Sequence, residues 1–349
     1  MAGGHIAGWS PESLEYLDAC PVCGARTGQE LLYRGLRDKF QTSTPGAWDF
    51  YRCEACGSGY YNPRPTPEAV GRLYEAYYTH GHTAPLEYAQ LGWLGKLRRI
   101  LGNGYRNYRF GMQERPASIL GVLAMGLLPD QRALLDTGGR HLPKQPKGRL
   151  LDVGCGNGDF LHFAQRAGWE AIGVDPDPKA VEIARARGLT VHLGTLETLQ
   201  EPPESLQGIT MNHVIEHVHD PRATLTRCYR LLKPGGWLWL ETPNLNAQGH
   251  ALYRENWIGL DTPRHLVVFT DRALMRLLQE VGFTQIERLP YCPLCERVFG
   301  MCRALAIGAS PHNAPPLPPE ERRVARQAEA KARRNPEIRE FTMVRAWKA

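Results

Sequence analysis

No apolar run in the 349-residue chain approaches the roughly 20 residues that span a bilayer as a helix, so no membrane-spanning segment is expected. The first residues show no signal-peptide pattern, and with the reduced-looking cysteines this leads us to expect a cytoplasmic protein. Charge of one sign is scarce. Lys and Arg number 42 against 36 Asp and Glu, and a net +6 permits an anionic partner without requiring one. No internal repeat is present, which excludes a solenoid or propeller. A disulfide framework is also not expected. The nine cysteines are odd in number, and most fall in C-x-x-C pairs, a pattern of metal binding in a reducing compartment. A hydrophobic fraction of 42% is ordinary for a globular protein and allows one large domain with an accessory one.

The most informative segment is Arg149 to Phe160, R-L-L-D-V-G-C-G-N-G-D-F. Leu150, Leu151 and Val153 read as a buried parallel strand. Gly154, Gly156 and Gly158 then make a turn that lets backbone approach a ligand closely. Phe160 to Ala167 has helical spacing. A second strand, Ala171 to Val174, ends at Asp175, where a carboxylate can take both hydroxyls of a ribose. A nucleoside-containing cofactor is therefore expected.

Further segments identify the cofactor. Asn212 to Pro221 reads N-H-V-I-E-H-V-H-D-P, Leu231 to Asn244 reads L-L-K-P-G-G-W-L-W-L-E-T-P-N, and Leu277 to Phe283 reads L-L-Q-E-V-G-F. In this order they resemble the class I S-adenosylmethionine-dependent methyltransferases. The resemblance runs from about Gly148 to Pro290 and resumes at Glu340 to Trp347. It implies an α/β fold, a Rossmann-like seven-stranded methyltransferase sheet. It implies S-adenosylmethionine held by Asp152, Gly154, Gly156, Gly158, Asp175, Leu196 and Asn212, with the methionine end facing the helix N-terminus after Gly158. The usual acidic residue after the third strand is missing here, where Gly194-Thr195-Leu196-Glu197 stands, so adenine contacts are expected from the Leu196 backbone and from Thr195 or Glu197.

Chemistry is expected after the fourth strand, read as Gly208 to Val214. His217 is the candidate general base, with Glu216 orienting or charging it, because histidine titrates near neutrality. The alternative is that Glu216 and His217 only shape the turn and contact cofactor. His265, in P-R-H-L-V-V-F, is a third candidate catalytic residue or a packing residue. Tyr253 and Trp257 are candidates to stack on an acceptor, and Tyr74, Tyr77 and Tyr78 to form the opposite wall.

Cys20-Pro-Val-Cys23-Gly and Cys53-Glu-Ala-Cys56-Gly form two knuckles around a strand-like hairpin, Leu31 to Phe50. Four thiolates so spaced suit a closed, structural Zn2+ site, and the pattern resembles a zinc ribbon. Cys292, Cys295 and Cys302 read as core, as do Cys155 and Cys228. The expected organisation is a zinc-binding ribbon module at 1–80, a helical basic and apolar connecting segment at 81–147, and the methyltransferase domain at 148–349 with an insertion at 291–337.

The ribbon, N-P-R-P and the P-R-H-L segment resemble bacterial sugar and polysaccharide methyltransferases. The resemblance implies O-methylation of a sugar hydroxyl on a glycan, glycolipid or activated sugar. A quinone or secondary-metabolite acceptor is the first alternative. RNA, bound by the ribbon and by Arg98, Arg99, Arg106 and Arg109, is a less favoured one. The basic, aromatic stretch Leu94 to Phe110 beside the short apolar Ser118 to Leu128, with Phe299 to Ile307 as another apolar piece, reads either as packed helices or as a peripheral contact with the inner face of the membrane and a lipid-linked acceptor.

Overall fold

A computed structural model describes residues 6–40, 44–74 and 88–349. Tyr77 and Tyr78 lie outside these residues. The N-terminal part holds β1 (Leu14–Glu15), β2 (Gln29–Leu36), β3 (Trp48–Cys53), β4 (Gly59–Tyr61) and β5 (Arg64–Pro65). Three helices follow, α1 (Trp93–Phe110), α2 (Leu120–Leu127) and α3 (Pro129–Gly138). Strand and helix then alternate through β6 (Arg149–Val153), α4 (Asp159–Arg166), β7 (Glu170–Asp175), α5 (Pro178–Ala186) and β8 (Thr190–Leu193). The second half continues with β9 (Leu206–Asn212), α6 (Pro221–Leu231), β10 (Leu232–Pro243), α7 (Gln248–Tyr253), β11 (Val267–Val268), α8 (Asp271–Val281) and β12 (Thr284–Arg288). Helices α9 (Cys295–Ala306) and α10 (Pro319–Arg334) precede the last strand, β13 (Phe341–Trp347).

The main sheet has seven strands in the order β12-β13-β10-β9-β6-β7-β8. Strands β6 to β10 run parallel, and β13 enters antiparallel between β10 and β12. This is the Rossmann-like methyltransferase fold. Its central strands are apolar on both faces because helices cover both, and Leu150, Leu151, Ile209 and Leu240 are fully buried. The chain leaves β6 toward β8 and returns at β9, so strand order reverses between β6 and β9. Ligands sit at such a switch point, beyond the carboxyl ends of the strands. The turns after β6 and β9 both open there.

The ribbon strands join the sheet β11-β4-β3-β2, whose edge strand β11 comes from the second half of the chain. Val267 pairs with Tyr60 and Val268 with Gly59. The ribbon is therefore welded to the main domain by backbone pairing. A buried ion cluster adds to this join. Arg264 is fully buried and grips both Asp38 carboxylate oxygens, at 2.8 and 2.9 Å, while its other edge reaches Asp261.

Two expectations change at the insertion. Phe299 to Ile307 is no membrane face, because Phe299, Cys302, Ala304 and Leu305 pack inward. Helix α10 is not solvated all round either. Ala325, Ala328 and Ala332 form a buried stripe at helical spacing.

Candidate active site

The glycine turn after β6 has three residues in the left-handed region, Gly154 at φ 69°, Gly156 at 53° and Gly158 at 82°. Side chains rarely adopt that backbone. The three glycines serve different ends. A Cβ on Gly154 would lie 2.5 Å from Val214, and one on Gly158 would lie 2.3 Å from Leu189, so both are needed for packing. A Cβ on Gly156 would meet nothing within 4 Å, so this glycine faces open space. Asp175 ties the turn to β7, accepting from Gly156 N–H at 2.8 Å and Asp177 N–H at 2.9 Å. Each of its oxygens keeps a lone pair, which fits the ribose of S-adenosylmethionine. Leu196 is buried with its side chain in the core.

Asp152 departs from its expected role. It is fully buried, and its Oδ1 accepts from Thr210 at 2.9 Å and from the Arg140 guanidinium. A carboxylate sealed in this way cannot face a cofactor directly. It holds Arg140, which lines the adjoining cavity and stacks 3.8 Å above Phe160. Burial pushes the Asp152 carboxyl up and the Arg140 charge opposes the push. Arg140 is thus a cation held at the cavity wall by a buried carboxylate and the Thr210 hydroxyl. Sequence reading missed it because it lies outside the motifs, in an irregular segment twelve residues before Asp152.

The cavity measures about 880 Å³. Cys155 and Asn157 of the glycine turn line it, as do Asn212, His213, His217 and His265. Strand β9 ends at Asn212, and His213 takes a left-handed φ of 54°, which redirects the chain into a short 3-10 turn, Ile215–His217. Asp220 caps the following helix by accepting from Ala223 N–H, with Pro221 at its first turn.

His217 Nδ1 lies 2.9 Å from the Arg264 carbonyl and 2.9 Å from the Tyr74 hydroxyl. A carbonyl only accepts, so Nδ1 carries the proton and Nε2 is left as the basic atom. Burial, together with the charge of neighbouring His265, holds His217 down at about 4, so it is neutral at physiological pH. His265 is fixed the same way, donating from Nδ1 to the Gly259 carbonyl at 2.8 Å. The two imidazoles meet edge to face with centroids 4.7 Å apart.

Glu216 is fully buried behind them. Burial pushes its carboxyl up, but the His213 imidazole at 3.2 Å outweighs this and holds it at about 2. His213 is correspondingly raised to about 10. Burial lowers it, but its bonds to Glu216 and Glu241 prevail. Thr242 donates to the second Glu216 oxygen at 2.9 Å. His213 and Glu241 were not singled out from sequence, although His213 stands inside the motif. One ligand atom each from Glu216, His217 and His265 lie within 4.8 Å of one another, and this donor set is also one that a divalent cation accepts.

Tyr253 and Trp257, expected to stack on an acceptor, do neither. Trp257 is 2% exposed with its indole N–H toward Glu340, and Tyr253 packs on Phe299. Leu294, Val298 and Met301 of the insertion, with Phe163 and Ile258, supply the apolar wall instead. Phe40 of the ribbon also lines the cavity, so ribbon and insertion both close it.

The knuckle cysteines converge away from this cavity. Cys20 and Cys56 sulfurs are 3.7 Å apart, Cys23 and Cys53 sulfurs 3.6 Å, and all four lie within 4.8 Å of one another. Zinc–sulfur bonds of about 2.3 Å in a tetrahedron require sulfurs roughly 3.8 Å apart, so the cluster is compatible with zinc. Cys292, Cys295 and Cys302 are buried and do not cluster with it, as do not Cys155 and Cys228.

Residues 127–288 match a family model described as a methyltransferase domain. The ubiquinone biosynthesis O-methyltransferase of Cereibacter sphaeroides (strain ATCC 17029) is 33% identical over 152 residues, 40% of this chain and 62% of that protein. The enzyme of the same name from Xanthomonas campestris pv. campestris is 37% identical over 114 residues, 31% of this chain and 48% of that protein. The chain thus spans less than two thirds of the length of these relatives. A solved methyltransferase from Thermotoga maritima, described as a possible histamine N-methyltransferase, overlaps 71% of this chain and 100% of its own at 21% identity and a TM-score of 0.42. Another, from Archaeoglobus fulgidus, overlaps 63% of this chain and 93% of its own at 21% identity and a TM-score of 0.42. Residues 127–288 carry a methyltransferase domain of the S-adenosylmethionine-dependent kind.

Proposed function

We propose that the chain is an S-adenosylmethionine-dependent O-methyltransferase whose acceptor is a largely apolar small molecule bearing a ring hydroxyl, such as a quinol. The observation that carries this reading is His217. It is a neutral imidazole with its tautomer set by a backbone carbonyl, and it lines the same cavity as the glycine turn. Bound S-adenosylmethionine supplies an electrophilic methyl group. Arg140 takes the carboxylate of its methionine end, and Asp175 takes the ribose. His217 Nε2 would take the proton of the acceptor hydroxyl, leaving its oxygen able to receive the methyl group that the bound cofactor would supply. Ionised Glu216, bonded to His213 and Thr242, favours the imidazolium of His217 only through space and partly offsets the burial that opposes it.

Two findings move the proposed acceptor from a sugar toward the quinone alternative. The relatives with the matching domain are named for ubiquinone biosynthesis. Part of the cavity wall is aliphatic and aromatic, from Phe163, Ile258, Leu294, Val298 and Met301, facing a polar part with His217 and His265, while the two residues expected to stack on a sugar lie outside it. The RNA alternative weakens too. Arg109 is spent on the Leu142 carbonyl and Asp136, and burial lowers Arg106. The four-cysteine cluster is proposed to hold a structural zinc ion.

The test is incubation of the full chain with methyl-labelled cofactor and, in separate reactions, ring-hydroxylated quinols, nucleotide sugars and RNA. Label is expected in a methyl ether of the quinol. Label confined to the sugars refutes the acceptor class, and no transfer to any hydroxyl refutes O-methylation.

A further inference from the structure

The helical hairpin before β6 carries a surface that methyl transfer does not use. A Cβ on Gly104 of α1 would lie 1.7 Å from the Ser118 carbonyl oxygen, and one on Gly121 of α2 would lie 1.9 Å from that of Leu101. The contacts run in opposite chain order, so the helices are antiparallel and glycine-tight. The end of α2 therefore lies beside the beginning of α1.

Gly121 and Met125 are the buried face of α2. Leu120, Leu123 and Leu127, at helical spacing on another face, are 59%, 67% and 83% exposed. At the same end, Trp93 is 73% exposed and Leu94 and Leu97 also face solvent. Single exposed leucines are ordinary, but a contiguous set marks an interaction face. Charge says what kind. Lys96, Arg98 and Arg99 interleave with the apolar side chains of α1, and residues 88–128 hold a single acidic residue, Glu114. Among the described residues no helix is long and apolar enough to cross a membrane. A basic rim, an aromatic at the edge and protruding leucines are the features of a surface-lying element. The face also continues to the active site, since Leu128 leads into α3, whose Leu134 and Thr137 line the cavity.

We propose that this hairpin seats the protein on an anionic phospholipid bilayer and turns the cavity mouth toward it, so that the acceptor is drawn from lipid. The second half of this statement rests on the apolar acceptor proposed above, whereas the docking does not.

The experiment is flotation of the full chain with vesicles of phosphatidylcholine alone or mixed equally with phosphatidylglycerol, at low and high salt. Binding to the mixed vesicles, weakened by salt, is expected. The double variant Leu123→Glu, Leu127→Glu is expected to partition at least roughly tenfold less, and Arg98→Glu roughly fivefold or more less. Unchanged affinity of both variants for S-adenosylhomocysteine verifies folding. Absence of flotation, or equal flotation of the double variant, overturns the proposal. So does a wild-type dimer in light scattering that the double variant converts to monomer, because the face then serves a second copy. Vesicle binding without quinol methylation would leave docking standing and sink only the acceptor.

Discussion

Replacing His217 with alanine tests the proposed proton step. Its imidazole is neutral at pH 7 because burial and His265 hold it near 4. A positioned general base contributes about 10²- to 10⁴-fold, which is roughly 3–5 kcal/mol of barrier. The loss belongs in kcat rather than in cofactor affinity. The partners of His217 are Tyr74, the Arg264 carbonyl and the His265 ring, none of them in the glycine turn. The assay is steady-state transfer at saturating cofactor across the pH range, with calorimetric binding of S-adenosylhomocysteine alongside. Wild-type kcat/KM is expected to be level above about pH 6 and to fall about tenfold per unit below about 4, as His217 becomes charged. His217→Ala removes that acid limb. Stability must be followed in parallel. The folded value lies below the ordinary 6.5, so this group's contribution is complete above 6.5 and is lost as pH falls toward 4. A variant kcat within fivefold of wild type, or an acid limb that persists in it, refutes the base assignment.

Two further outcomes concern the frame around the site. Arg264→Met removes the guanidinium between two buried carboxylates and is expected to cost about 3–5 kcal/mol, read in urea unfolding. A loss below about 1 kcal/mol would show that the cluster is dispensable. Stripping metal with a chelator, or the change Cys53→Ser, is expected to lower the melting temperature and transfer activity together, because β3 and β4 share a sheet with β11, which immediately follows His265 and Leu266. Elemental analysis should find zinc near one per chain. A chain purified without zinc that melts and turns over normally would contradict this.

Some of this was legible without a structure because it is local. Positive-φ glycines after an apolar run, Asp-Pro at a helix start and paired C-x-x-C-G knuckles each impose their own backbone geometry. They located the switch-point turn, the histidines after β9 and the cysteine cluster, while the seven-stranded sheet was implied by the resemblance to class I methyltransferases. What side chains face was not legible. Trp257 and Tyr253 lie near the active-site segment in sequence, yet packing turns both away, and Asp152 is sealed because Arg140 arrives from twelve residues upstream.

The amino-acid order by itself determined the nucleoside-binding strand-turn-helix, which follows from periodicity and backbone chemistry within a short span, while the seven-stranded sheet and the kind of cofactor were implied by the resemblance to class I methyltransferases. Only the tertiary structure decided the character of the cavity wall, the charge states of His213, Glu216 and His217, and the exposure of the α2 leucines beside the burial of the α10 alanines. Those properties depend on distant residues that share a volume, and burial and charge act through space rather than along the chain.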